Sequence, residues 1–192
     1  AQRASVDTLA VAGEKGLRKK AYVAVAFACP FEGKVSPDKV LRLAGEMFLH
    51  GADEVVIADS IGAANPKEVS GLLSECARRF GADRLSVHFH DTRGFALANM
   101  WAALEAGVRR FDSSVGGLGG CPFAPGAAGN LATEDLVVLA EQCGFRTGID
   151  LQRLRAAVAV AERLTQRKLG GRTTAWLRSE DERASSGDSK KG

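Results

Sequence analysis

Four short apolar runs, each followed by an amphipathic segment that stops at a glycine, leave this chain very few folds to choose from. Residues 22–28 (YVAVAFA) form the first run, continuous and rich in β-formers. Such a run suits a strand covered on both faces, as in a parallel sheet. Ser36-Pro37 then places a hydroxyl cap before a proline at the first helical position. Val40, Leu41, Ala44, Phe48 and Leu49 supply a buried stripe, and Gly51 ends the helix. The unit repeats. EVVIA (54–58) is a strand, Asn65-Pro66 caps a helix running to about Phe80, and Gly81 closes it. LSVH (85–88) is a third strand, residues 95–106 a helix closed by Gly107, and residues 109–115 a fourth strand. Before the first strand, residues 5–20 read as helix with a basic end, Arg18-Lys19-Lys20.

Strand, loop, helix, glycine and strand, recurring roughly every 30 residues, means βα units and a parallel sheet. An open doubly wound sheet and a (β/α)8 barrel both use such units. The polar residues favour the barrel. Cys29, Asp59, His88 with His90, and Ser113 with Ser114 fall at or just past the C-terminal ends of strands, where a barrel gathers its active site. The α/β chain therefore reads as about the last four βα units of a TIM (β/α)8 barrel. C-terminal helices follow at residues 133–143 and 151–166. Closure needs eight strands, so the expectation is a fragment or a chain that pairs with another half. Residues 1–178 make the partial-barrel domain. Residues 179–192 (SEDERASSGDSKKG) lack apolar periodicity and read as a disordered tail.

Composition sets the outer limits. At 192 residues, 45% hydrophobic and 26% charged, the chain can bury a single sizeable core. A net charge of +3, with no aromatics interleaved in a basic stripe, gives no reason to expect nucleic acid. No apolar run reaches the ~20 residues that span a bilayer, so no membrane partner is expected. The four cysteines, Cys29, Cys76, Cys121 and Cys143, form no CxxC pair. That spacing excludes a zinc knuckle and suits reduced thiols in a cytosol-like compartment.

Two stretches carry candidate chemistry. In His88-Phe89-His90, residues i and i+2 of a strand face the same side, so both imidazoles converge. With Asp91 next, this is a candidate divalent-metal site, or else a hydrogen-bonded pair at a strand end. The third histidine, His50, sits at a helix C-terminus, where a cation suits the dipole. Asp59 is either a turn cap or a carboxylate aimed into the site. The second stretch, residues 111–135, holds Gly116, Gly117, Gly119 and Gly120, then Cys121 and Asn130. The glycines allow backbone at positive φ and close approach. Cys121 could serve as acid, base or nucleophile if cations or a metal lower its pKa. Asn130 offers a hard oxygen ligand or a turn cap. The other three cysteines read as packing residues, Cys29 the least clearly.

HFHDTRGFALAN (88–99) and DSSVGGLGGCPFAPGAAGNLATEDLV (112–137) closely resemble the hydroxymethylglutaryl-CoA lyases, as do ACPFEGKVSP (28–37) and IADSIG (57–62). The resemblance runs in order from about Tyr22 to about Leu154. Its glycine-cysteine loop is specific to these lyases, whereas HxHDT is shared with carboxyltransferases and, as HxHND, with related synthases of the superfamily. The resemblance implies a TIM-barrel lyase that splits 3-hydroxy-3-methylglutaryl-CoA, an acyl-CoA substrate, into acetyl-CoA and acetoacetate with Mg²⁺ or Mn²⁺. That reaction belongs to leucine degradation and ketone-body metabolism, in the bacterial cytoplasm or the mitochondrial matrix. Carried over by position, His88, His90 and Asn130 are metal ligands, with His88 also catalytic. Cys121 is the catalytic thiol on a glycine loop over the substrate, and Asp59 a further active-site carboxylate. The family's Arg-Asp pair and catalytic Glu have no counterpart in this chain, which implies a homodimer or a missing N-terminal half. The alternatives are a non-catalytic, self-associating half-barrel, or another acyl-CoA or 2-oxo acid lyase or synthase of the superfamily.

Overall fold

The structure, a computed structural model, describes residues 2–120 and 129–188. They divide into two compact units: one runs through Asp112 and includes Gly120, and the other comprises residues 113–119 and those from Gly129 onward. No helix among the described residues is long and apolar enough to cross a membrane.

The first unit opens with helix α1 (Gln2–Glu14), followed by strand β1 (Lys20–Val23) and a small hairpin, β2 (Ala28–Cys29) and β3 (Gly33–Lys34). Helix α2 (Pro37–Leu49), strand β4 (Glu54–Asp59), helix α3 (Pro66–Phe80), strand β5 (Leu85–Phe89), helix α4 (Ala96–Glu105) and strand β6 (Phe111–Asp112) complete it. The four-stranded sheet has the order β1-β4-β5-β6 and every pair is parallel. All six residues of β4 are buried, as the unbroken apolar run requires of a central parallel strand. Helices α2, α3 and α4 pack on the sheet. Val40, Leu41, Ala44 and Met47 from α2 and Val69, Leu72, Leu73 and Cys76 from α3 enter the core. Full burial of one such aliphatic side chain is worth roughly 1.5–3 kcal/mol.

Register divides the sheet into two faces. Lys20 pairs with Glu54, Tyr22 with Val56, Ala58 with His88, and His88 with Asp112. Paired residues share a face, so one face carries Lys20, Tyr22, Glu54, Ser86, His88 and Asp112. The other carries Ala21, Val23, Val55, Ile57, Leu85, Val87 and Phe89. The polar face is tied by ion pairs. Glu54, only 4% exposed, meets Arg18 at 2.7 Å, Lys20 at 3.2 Å and Arg110 at 3.5 Å.

Several elements depart from the sequence expectation. Helix α1 stops at Glu14, because Gly16 turns to φ 64°. Lys20 opens β1 instead of ending the helix. Residues 22–28 do not form one strand: Val25 takes φ 49°, and Ala28 and Cys29 pair back onto β3. The fourth strand, expected over 109–115, contracts to Phe111–Asp112. Phe48 and Leu49 stay out of the core. Phe48 packs its ring 5.2 Å from Phe80, beneath the Arg84 guanidinium at 4.2 Å, and Leu49 is 82% exposed.

The second unit begins where β6 ends. Ser114 forms a parallel bridge with Ala132, and Val115–Gly117 is a single 3₁₀ turn. Helices α5 (Thr133–Gln142), α6 (Leu151–Thr165) and α7 (Arg172–Asp188) follow. Asp150 caps α6 by accepting the N–H groups of Gln152 at 2.9 Å and Arg153 at 3.1 Å. The expected disordered tail over 179–192 differs from the structure, in which α7 continues through Ser179 to Asp188. Local pairing compensates for the missing apolar stripe. Arg178 reaches Glu162 of α6 at 2.7 Å, Ser179 Oγ donates to Trp176 O at 2.7 Å, and Arg183 pairs with Glu180 three residues before it. Residues 189–192 lie outside the described residues.

Candidate active site

Strand β5 delivers the two imidazoles. His88 is half-buried, and His90, just past the strand end, is 7% exposed. Their ring centroids lie 5.2 Å apart with the planes at 72°, so the i, i+2 spacing does bring both rings to one place. The neighbouring Asp91 accepts, at Oδ1, the N–H of Ala96, the first residue of α4, at 2.9 Å.

Asp59 ends β4 at 1% exposure. Its Oδ1 accepts the N–H of Ala63 at 2.8 Å and its Oδ2 that of Ala64 at 2.9 Å. It pairs in register with Phe89, one position past the Ala58–His88 rung, so its side chain leaves the sheet on the face opposite His88. Sequence spacing allowed a cap or a site carboxylate, and the bonds observed are those of the cap. Burial pushes the Asp59 carboxyl up, and the backbone N–H groups and the Arg93 charge offset only part of that. The loop that Asp59 closes is stapled to the β5 end. Arg93 Nε donates to Gly62 O at 2.9 Å, Asn99 Nδ2 to Ala64 O at 3.1 Å, and His90 N–H to Asp59 O at 3.3 Å. Gly62 sits at φ 66°, and a Cβ there would meet Thr92 at 2.7 Å, so only glycine lets the two loops approach this closely.

A cluster that the sequence reading missed shares the imidazole face. Asp112, one rung across from His88, accepts the Lys20 Nζ at 2.6 Å and the Tyr22 hydroxyl. Burial opposes ionisation of Asp112, but these two hydrogen bonds outweigh it and hold the carboxyl below its ordinary range. Burial depresses the Lys20 ammonium, and its bonds to Asp112 and Glu54 more than reverse that. The available signal was alternation: Lys20 and Tyr22 sit two apart on β1, on the face that their register assigns to His88.

In the second unit, Asn130 donates from Nδ2 to Leu118 O at 2.9 Å, which leaves Oδ1 as its candidate ligand atom. The glycines explain themselves against it. A Cβ at Gly119 would meet Asn130 Nδ2 at 2.5 Å, and one at Gly117 would meet Asn130 O at 3.0 Å. Gly116 is buried, and Gly120 is exposed. Cys121 lies outside the described residues. Of the remaining thiols, Cys29 is half-buried, Cys143 is exposed, and burial pushes Cys76 up to about 12. His50 forms the C-cap of α2.

Two convergent imidazoles are good donors to a divalent ion, so β5 fits as one side of such a site. Among the described residues no group of three or more His, Cys, Asp or Glu could hold a metal ion.

Residues 2–160 match the HMGL-like family. Over 146 residues the chain is 47% identical to the hydroxymethylglutaryl-CoA lyase of Bacillus subtilis, covering 76% of this chain and 49% of that protein. It is 45% identical over 149 residues to the mitochondrial hydroxymethylglutaryl-CoA lyase of Homo sapiens, covering 78% and 46%. The chain thus spans about half the length of the curated relatives it matches. The crystal structure of the Bacillus subtilis enzyme superposes with a TM-score of 0.88 at 40% identity, covering 92% of this chain and 59% of that one. An Acinetobacter baumannii HMG-CoA lyase solved with coenzyme A and 3-methylmalate gives a TM-score of 0.82 at 40% identity, covering 87% and 54%. The parallel βα units are therefore part of a TIM barrel, as the placement of polar residues at strand ends implied.

Proposed function

Because the chain belongs to the HMGL-like family, we propose that it forms the histidine-bearing part of a metal-dependent carbon–carbon lyase that cleaves 3-hydroxy-3-methylglutaryl-CoA to acetyl-CoA and acetoacetate. The observation that carries the reading is the imidazole pair, 5.2 Å between ring centroids at the end of a barrel strand. His88, His90 and Asn130 Oδ1 would hold Mg²⁺ or Mn²⁺. When bound, the ion supplies Lewis-acid stabilisation of the negative charge that develops on the substrate's tertiary oxygen.

The chain's own residues supply placement and proton traffic. The C3 hydroxyl passes its proton to a general base, His88 in this reading, as the C2–C3 bond breaks. The electrons of that bond leave with the acetyl-CoA fragment as an enolate, and C3 becomes the ketone carbon of acetoacetate. The enolate carbon then takes a proton, from Cys121 Sγ or from the His88 imidazole. The Gly116, Gly117, Gly119 and Gly120 segment leads into Cys121, and Gly117 and Gly119 lie close against Asn130. Asp59 acts at one remove, holding the 60–64 loop and, through its carbonyl, the His90 backbone. That the relatives are hydroxymethylglutaryl-CoA lyases supports an acyl-CoA substrate, and the coenzyme A in the Acinetobacter structure supports a site for that carrier.

The test is Mn²⁺ binding, read by electron paramagnetic resonance, beside release of acetoacetate from 3-hydroxy-3-methylglutaryl-CoA. His88→Ala is expected to abolish both, and retention of both rejects the site. Cys121→Ala is expected to lower kcat by about 10²–10⁴ with Mn²⁺ affinity unchanged; wild-type turnover removes the thiol from the mechanism.

A further inference from the structure

Glu134, in the first turn of α5, has no exposed surface, and the lyase chemistry above gives it no task. Its carboxylate is fully engaged. Oε2 accepts the Gly116 N–H at 3.1 Å, while Oε1 accepts the Gly171 N–H at 3.0 Å and the Thr174 hydroxyl at 2.8 Å. Gly116 is held a second time, its carbonyl accepting the Gly170 N–H at 3.0 Å. At φ 63°, a Cβ on Gly116 would lie 3.0 Å from Leu169 and 3.2 Å from Gly170 N. Beside Glu134, Asp135 accepts the N–H groups of Arg172 at 3.1 Å and Thr173 at 2.8 Å. These are first-turn amides of α7, which have no partner within the helix and attract carboxylates. Two residues beyond Gly116, the carbonyl of Leu118 takes the Asn130 side-chain amide.

The bonds form a chain from the C-terminal helix to a candidate ligand: residues 170–174 to Glu134, Glu134 to Gly116, and through Leu118 to Asn130. We propose that Glu134 and the 170–174 segment are positioning residues for Asn130, so that the docking of α7 sets the direction in which the Asn130 Oδ1 points. The positioning stands on the hydrogen bonds alone; its consequence for metal affinity rests on the reading of Asn130 as a ligand. Atoms that orient a ligand from behind commonly control affinity by 10–100-fold.

Thr174→Val removes one donor to Glu134 and leaves the carboxylate in place, and Thr174→Ser retains the hydroxyl. The readouts are exchange of the Asn130 side-chain amide protons, followed by ¹⁵N-resolved NMR, and the Mn²⁺ Kd of the whole protein. Thr174→Val is expected to speed amide exchange and to raise the Kd about tenfold, and Thr174→Ser to restore both. A Thr174→Val protein that melts lower but keeps wild-type Asn130 exchange and wild-type Kd overturns the proposal, because the network is then structural only. Gly170→Ala, whose Cβ would meet Thr174 at 2.7 Å, displaces the same segment without deleting a donor and is scored the same way if Thr174→Val does not fold. Asn130→Ala separates the two readings. Unchanged Mn²⁺ affinity in that variant ends the ligand assignment, while accelerated Asn130 exchange in Thr174→Val still upholds the positioning.

Discussion

Asp112 shows how one side chain can be informative for reasons its own sequence neighbourhood hides. The DSS triplet reads as the end of a strand, and nothing local distinguishes Asp112 from a solvated turn carboxylate. Its meaning comes from Lys20 and Tyr22, brought to it by the β1-β4-β5-β6 order. Because the folded-state pKa of Asp112 lies below its ordinary value, the folded protein binds fewer protons than the unfolded chain between the two values. The contribution to stability is therefore complete above the ordinary carboxylate range and is lost as pH falls through the folded value. The side chain is 27% exposed, so screening limits the ion pair to about 1 kcal/mol. Asp112→Asn is expected to melt below wild type at pH 7, and the two curves are expected to converge below about pH 4. Thermal melts across that range check this, and a gap that persists at low pH assigns the effect to hydrogen bonding rather than charge. Glu134 was hidden in the same way: TED reads as an acidic helix start, and burial of its carboxylate shows only when residues 170–174 fold back onto it.

Elements were legible where local pattern and tertiary context agreed. EVVIA is apolar throughout and became a strand buried along its whole length. The helix that starts at Asn65-Pro66 and stops at Gly81 lies where its cap and its glycine placed it. Pattern failed where backbone geometry intervened, as at Val25, whose positive φ breaks a run that composition favours as strand. The two helix caps make a sharper comparison, because sequence treats them alike. Asn65 Oδ1 accepts the Glu68 N–H at 3.1 Å, whereas Ser36 makes no side-chain capping bond to α2. Asn65→Ala is thus expected to cost about 1 kcal/mol, and Ser36→Ala a few tenths at most, in denaturant melts. Equal losses would show that Ser36 caps in solution. The imidazole pair was legible for a similar reason: strand alternation is a strict rule, and it fixed the relation of His88 to His90 without knowledge of any other element.

On the proposed reading, the chain would supply part of a ligand set rather than a closed cage. The proposed ligands, two imidazoles and one amide oxygen, would leave positions open on an ion such as Mg²⁺ or Mn²⁺, which takes about six donors and favours oxygen. The proposed substrate carries oxygens suited to them, on its tertiary hydroxyl and the adjacent carboxylate. If the ion and the substrate's oxygens share one coordination sphere, each must strengthen the binding of the other by the same factor, since coupling free energies are reciprocal. This can be measured without turnover by using 3-hydroxy-3-methylglutarate, which keeps those oxygens and lacks the thioester. Its presence at saturation is expected to lower the Mn²⁺ Kd by about 5–150-fold, the range of ordinary coupling energies. Mn²⁺ is expected to lower the Kd of the acid by an equal factor. His88→Ala should abolish the coupling together with the metal affinity. Independent binding of the two in the wild-type protein, with neither Kd responding to the other ligand, would place the acid away from the imidazoles and remove the basis for a metal-assisted cleavage at this strand end.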